Sequence, residues 1–154
     1  MKDYKSESEF EKYIRELIDL YITKLDNKIY CLTNKKAVDI VICNDNNIPK
    51  LHFIEVKYHV KSHGRLGFGG GLGTGFQPEI LSKRPMYFQS NLRFVISAEE
   101  TEKIHFLSMD ELKDFISGEQ IGSKYNNIQT RIFKTNNGLT ENEFIKELEK
   151  WLQN

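Results

Sequence analysis

The sequence predicts an α/β protein, with a single mixed β-sheet flanked by helices, in one domain spanning residues 1–154. Three observations predict this class. Apolar residues recur at helical spacing near both ends of the chain, each time behind an N-terminal capping sequence. Short β-branched and aromatic runs lie between them, one with clear period-two alternation. Further helical segments are interleaved with these runs, which is how helices come to cover the faces of one sheet. A chain of 154 residues is also of a size to fill one core.

The elements follow in chain order. Ser8-Glu9-Phe10-Glu11 matches a capping box, and Phe10, Tyr13, Ile14, Leu17, Ile18 and Tyr21 continue the helix to about Leu25. Ile29–Leu32 and Ala37–Cys43 are strand candidates. Asn44 to Pro49 is turn chemistry, and Leu51–Val60 is the next strand, so the last two strands predict a hairpin. A glycine-rich stretch runs from Gly64 to Gly75. Glu79–Gln89 predicts a helix that Pro85 ends or bends. Leu92–Ser97 predicts a central strand and Ile104–Leu107 another. Ser108-Met109-Asp110-Glu111 is a second capping box, stapled by Leu107 and Leu112, for a helix running to Ser117 and stopped by Gly118. Ile128–Lys134 predicts an edge strand. Thr140-Glu141-Asn142-Glu143 is a third box, stapled by Leu139 and Phe144, and the last helix presents Phe144, Ile145, Leu148, Trp151 and Leu152 on one side.

Composition narrows the function classes. Apolar residues make up 39% and charged residues 29%, an ordinary globular balance that argues against a disordered chain. With 22 basic and 22 acidic residues the formal charge is zero, so nucleic-acid binding requires basic groups gathered on one face. No apolar run approaches the roughly 20 residues that cross a bilayer, so no membrane partner is expected. Met1 to Glu7 lacks the apolar core of a signal peptide. Cys31 and Cys43 show no zinc spacing. They read as two free thiols in a reducing cytoplasm, with a single disulfide as the alternative.

The chemistry concentrates in the expected hairpin. From Leu51 onward the odd positions are Leu51, Phe53, Glu55, Lys57, His59, Lys61, His63 and Arg65, and the even ones include Ile54, Val56, Tyr58 and Val60. One face is apolar and the other becomes a charged row. In the preceding strand Val38, Ile40 and Ile42 share one face and Asp39 lies on the other. A suitable register joins the Asp39 and Glu55 carboxylates beside the Lys57 ammonium. Buried charge is costly unless it is paired or holds a metal. Two adjacent carboxylates favour a hard cation, and Mg²⁺ suits them because it takes one or two carboxylates and keeps several waters. Mn²⁺ is expected to substitute. The Val56 carbonyl can supply a further oxygen. A metal there activates water and neutralises charge on a phosphate, while Lys57 orients the water or stabilises the transition state. The row His59, Lys61, His63, Arg65 offers a basic track to a phosphate backbone. The competing interpretation of Glu-x-Lys is an ordinary exposed strand.

Asp39 followed by Glu55-Val56-Lys57, in a helix–strand–strand–strand frame, resembles the PD-(D/E)xK nuclease superfamily, which includes restriction endonucleases and Holliday-junction resolvases. The resemblance covers roughly residues 8 to 60. Phe10-Glu11, placed 28 residues before Asp39, resembles the Phe-Glu of Mrr-like and resolvase-like members. It implies a restriction-endonuclease-like core (helix-strand-strand-strand-helix-strand), DNA as substrate with RNA not excluded, and a homodimer that cuts two strands. It also implies that Glu11 helps hold metal or water, although Glu11 has an alternative role as the capping partner of Ser8. Glu16, on the same helix, matches the pattern less well. Two departures stand out. Val38 replaces the proline, and Asn34-Lys35-Lys36 lacks the acid that many relatives carry before the motif aspartate.

The glycine stretch is neither a Walker loop nor a dinucleotide fingerprint. It reads as a flap over the scissile phosphate, or as a plain surface loop. Gln77, at the start of the next helix, matches a glutamine that some relatives place near the metal. Lys83 and Arg84 on that helix are candidate phosphate contacts. His52, Tyr58 and Trp151 read as structural. The expected activity is therefore a Mg²⁺-dependent DNA endonuclease. The alternatives are a non-catalytic nucleic-acid- or protein-binding module on the same fold, and a small-molecule enzyme that uses the glycine loop for phosphate.

Overall fold

The computed structural model describes residues 3–26, 28–32, 38–63, 90–99, 101–117 and 127–154. Helix α1 (Glu7–Ile18) starts earlier than expected. Its N-cap is Ser6, whose hydroxyl accepts the Glu9 N–H at 3.2 Å, so the expected box at Ser8–Glu11 is not the one used. Two Ser-x-x-Glu registers overlap here. The upstream one seats Tyr4 against Phe10, with ring centroids 5.5 Å apart, in the manner of a staple. A π-helical turn, Asp19–Thr23, extends the helix and buries Ile22.

Five strands form a mixed sheet: β1 (Ile29–Leu32), β2 (Ile40–Asn44), β3 (Lys50–His59), β4 (Leu92–Ala98) and β5 (His105–Leu107), in the order β1-β2-β3-β4-β5. All neighbours are antiparallel except β3 and β4. The expected hairpin is β2–β3. Its turn places Asn47 at a φ of 56°, a left-handed conformation that asparagine tolerates. Cys31 and Cys43 are free thiols.

Helices cover the sheet unequally. Phe10, Ile14, Leu17 and Ile18 of α1 pack with Phe144, Leu148, Trp151 and Leu152 of the last described helix, α3 (Glu141–Gln153). Both meet Ile40, Ile42, Ile54, Val56 and Val95 on one face of the sheet. On the other face Val38, Val41, Leu92, Phe94 and Ile96 meet Met109 and Leu112 of α2 (Met109–Lys113), with Ile128 and Ile132. The capping boxes at Ser108 and Thr140 are formed as expected.

Three expectations are corrected. Helix α2 stops at Lys113, not Ser117. The chain then forms β6 (Ile116–Ser117), which pairs with β7 (Asn127–Ile128). The edge strand expected over Ile128–Lys134 ends at Ile128, and Thr130–Lys134 is a 3₁₀ turn. A strand would send Ile132 and Phe133 to opposite faces, whereas the turn packs both against the same cluster. The first hairpin strand begins at Ile40, not Ala37, because the chain bends at Asp39. Val38 consequently joins the α2 face while Ile40 and Ile42 join the other. No helix among the described residues is long and apolar enough to cross a membrane. The expected helix at Glu79–Gln89 and the glycine stretch lie outside the described residues.

Candidate functional site

The site forms where β2 leaves β3. Their ladder runs from Asn44↔Lys50 to Ile40↔Ile54 and stops there. Among the described residues, Glu55 to His59 continue with β4 on one side only. The Phe53 N–H donates to the Asn91 carbonyl and the His59 carbonyl accepts from Glu99 N–H, each at 2.8 Å, so odd positions of β3 bond toward β4. Even positions therefore aim their backbone groups at the vacated edge. There the Val56 N–H donates to Asp39 Oδ2 at 2.7 Å, and the Tyr58 N–H meets Glu7 Oε2 at 3.4 Å. Among the described residues, two carboxylates take the backbone donors that a paired strand would take. By the same alternation the Val56 carbonyl faces that edge too.

Glu55 and Lys57 project from β3 beside this edge. They are only 2% and 3% exposed. Lys57 Nζ lies 3.1 Å from Glu55 Oε1 and 3.2 Å from Glu7 Oε1, so one ammonium serves two carboxylates. The protein thereby avoids leaving a dry charge alone, which would cost several kcal/mol. Glu55 is nonetheless pushed up to about 8. Burial is the chief cause, opposed by Lys57 and reinforced by the charges of Asp39 and Glu7. Burial also raises the Asp39 carboxyl, against the pull of the Val56 N–H and Lys57. Burial works against the Lys57 ammonium, but Glu55, Glu7 and Asp39 outweigh it and its pKa is raised.

A second shared cation fixes Asp39 from behind. Arg15 Nε donates to Glu11 Oε1 at 2.9 Å, and its Nη2 donates to the Asp39 carbonyl. Asp39 thus gives its side chain to β3 and its carbonyl to α1, which explains the bend. Glu11 is no capping partner, since the cap sits at Ser6. It reaches the site through Arg15 and by its charge on Asp39. Glu16 stays outside, in an exposed pair with Lys12 at 3.9 Å.

The remaining candidates divide. The ring of His59 stacks on Phe133, with centroids 6.2 Å apart and planes 5° from parallel. Lys61 is exposed, and its backbone N–H donates to Glu99 Oε2 at 2.9 Å. The basic row does not continue as a strand, because β3 ends at His59 and Lys61–His63 is a 3₁₀ turn. The side chain of His63, together with Arg65, Gln77, Lys83 and Arg84, lies outside the described residues. His52 is buried edge-on against Trp151 at 4.7 Å, consistent with its structural assignment, and Tyr58 packs against Tyr4 and Phe10. Sequence reasoning missed Glu7 and Arg15. The Glu11–Arg15 spacing of four was the available sign of one, and the overlapping serine cap was that of the other.

Chemically, the edge gathers hard oxygen donors beside one ammonium. Among the described residues no three His, Cys, Asp or Glu side chains form a metal-ligating group. Asp39, Glu55 and the Val56 carbonyl are the oxygen donors here that could hold Mg²⁺, a cation that takes one or two carboxylates and keeps several waters. No protein-family model matches the chain, and no curated protein matches its sequence.

Proposed function

We propose that this chain is a Mg²⁺-dependent DNA nuclease of the PD-(D/E)xK type, with a restriction-endonuclease-like core. Asp39, Glu55 and the Val56 carbonyl would hold the metal. When bound, the ion lowers the pKa of a water and offsets charge developing on a phosphodiester. Lys57 holds a proton-rich, positive group beside the two acids and steadies the developing charge on the phosphate oxygens. Arg15 keeps Asp39 aimed at β3 through its carbonyl, and Glu11 orients Arg15. His59 and Lys61 contact the DNA backbone. The supporting observation is the convergence of the two motif segments, in which Asp39 accepts the Val56 N–H at 2.7 Å next to the Lys57–Glu55 pair at 3.1 Å.

The test is cleavage of linear, circular, branched and single-stranded DNA and of RNA, with and without Mg²⁺ or Mn²⁺. The parent cuts at least one DNA form only with metal, whereas Asp39→Ala and Lys57→Ala cut none. Cleavage by Asp39→Ala at the parent rate refutes the assignment. A non-catalytic binding module is the second reading, favoured by the absence of a third metal-ligating side chain among the described residues. Calorimetry separates the two, because a module shows no Mn²⁺ binding that depends on Asp39 and Glu55.

A further inference from the structure

Glu7 is not part of the motif, yet its carboxylate sits on two donors. One oxygen lies 3.2 Å from Lys57 Nζ and the other 3.4 Å from the Tyr58 N–H. An ammonium and a backbone N–H converging on one pair of oxygens make an anion seat, and phosphate uses the same kinds of donor. The present occupant is held weakly. The N–H contact is at the long limit for a hydrogen bond, and the Glu7 side chain is 45% exposed. Glu55, the other partner of Lys57, is buried.

Glu7 is held from outside by the segment before it. Ser6 caps α1, the Tyr4 N–H donates to the Tyr58 hydroxyl at 3.0 Å, and the Tyr4 ring stands edge-on to Tyr58 at 5.6 Å. Residues Tyr4 to Glu7 thus form a latch across the outer end of β3. We propose that the Glu7 carboxylate is an internal stand-in for a substrate phosphate: the seat made by Lys57 Nζ and the Tyr58 N–H takes a phosphodiester oxygen when the latch withdraws. This rests on the nuclease reading and adds to it a built-in competitor at the same lysine. No bond forms or breaks, since one anion exchanges for another.

The experiment measures binding of a fluorescent DNA duplex by anisotropy, with Ca²⁺ in place of Mg²⁺. An ion pair with one exposed partner, as Glu7 is here, is worth about 1 kcal/mol, so Glu7→Gln should tighten binding by about fivefold. Tyr4→Ala loosens the latch without changing charge and should tighten binding in the same direction. Glu16→Gln removes one acid elsewhere on α1 and should change affinity by less than Glu7→Gln. Equal or weaker binding by Glu7→Gln overturns the proposal, as does equal tightening by Glu16→Gln, or no tightening by Tyr4→Ala. Failure of the nuclease reading is distinct: the parent then cuts no DNA with Mg²⁺ or Mn²⁺ and binds no Mn²⁺ through Asp39. A parent that binds no duplex overturns both.

Discussion

Glu55→Gln tests the electrostatics of the site without any substrate. In the folded chain Glu55 holds its proton up to about 8, whereas its ordinary value is 4.5. Between those values the folded form keeps a proton that the unfolded chain has shed. Stability is therefore full below about 4.5 and is lost as the pH rises to about 8. At about 1.4 kcal/mol for each pH unit, the loss is on the order of 5 kcal/mol. Glutamine copies the neutral acid at every pH, and Lys57 keeps its contact with Glu7 at 3.2 Å. Metal-free parent and variant should thus melt together at pH 5. At pH 9 the variant should melt higher by on the order of 10 °C for a domain of this size. The assay is thermal unfolding by circular dichroism across pH 5 to 9 in chelator. Parallel curves for the two proteins would refute the claim that burial dominates Glu55. Mg²⁺ at pH 9 should raise the parent's melting point and leave that of Glu55→Gln nearly unchanged.

Other outcomes follow from the fold. Burial pushes His52 down to about 4 from 6.5, so the unfolded chain binds that proton first. Stability from His52 is complete above pH 6.5 and falls by up to about 3 kcal/mol as the pH drops to 4. His52→Phe should flatten that acid limb in urea titrations, and an unchanged slope would refute it. Thr140→Ala removes the cap of α3 and should cost about 1 kcal/mol, read as a lower urea midpoint at constant m-value. A midpoint equal to the parent's would mean that the cap contributes nothing.

What the sequence made legible was local or periodic. The boxes at Ser108 and Thr140 each lie within four residues and have one register, so their geometry follows from the residues alone. The alternation along β3 placed Glu55 and Lys57 on one face, and the hairpin turn brought Asp39 alongside β3, where its carboxylate takes the Val56 N–H. Three things were hidden because their causes are distant in sequence. Ser6 and Ser8 offered competing caps, and Tyr4 packing on Phe10 decided between them. The bend at Asp39 depends on a backbone N–H of β3 and on Arg15 of α1. The turn at Thr130–Lys134 depends on a cluster that wants both Ile132 and Phe133.

The lone parallel step in the sheet carries a consequence for assembly. Strands β1 to β3 can zip as neighbouring hairpins, and so can β4 with β5, but β3 and β4 are joined across residues 60–91. Their seven-pair ladder, Phe53–His59 with Leu92–Ala98, is the sheet's longest, and it closes only after that long excursion of chain. Glu55 and Lys57 lie inside this ladder. The seam that joins the two halves of the sheet thus also carries two of its buried charged groups, so their placement beside β4 waits on the closing of that long loop.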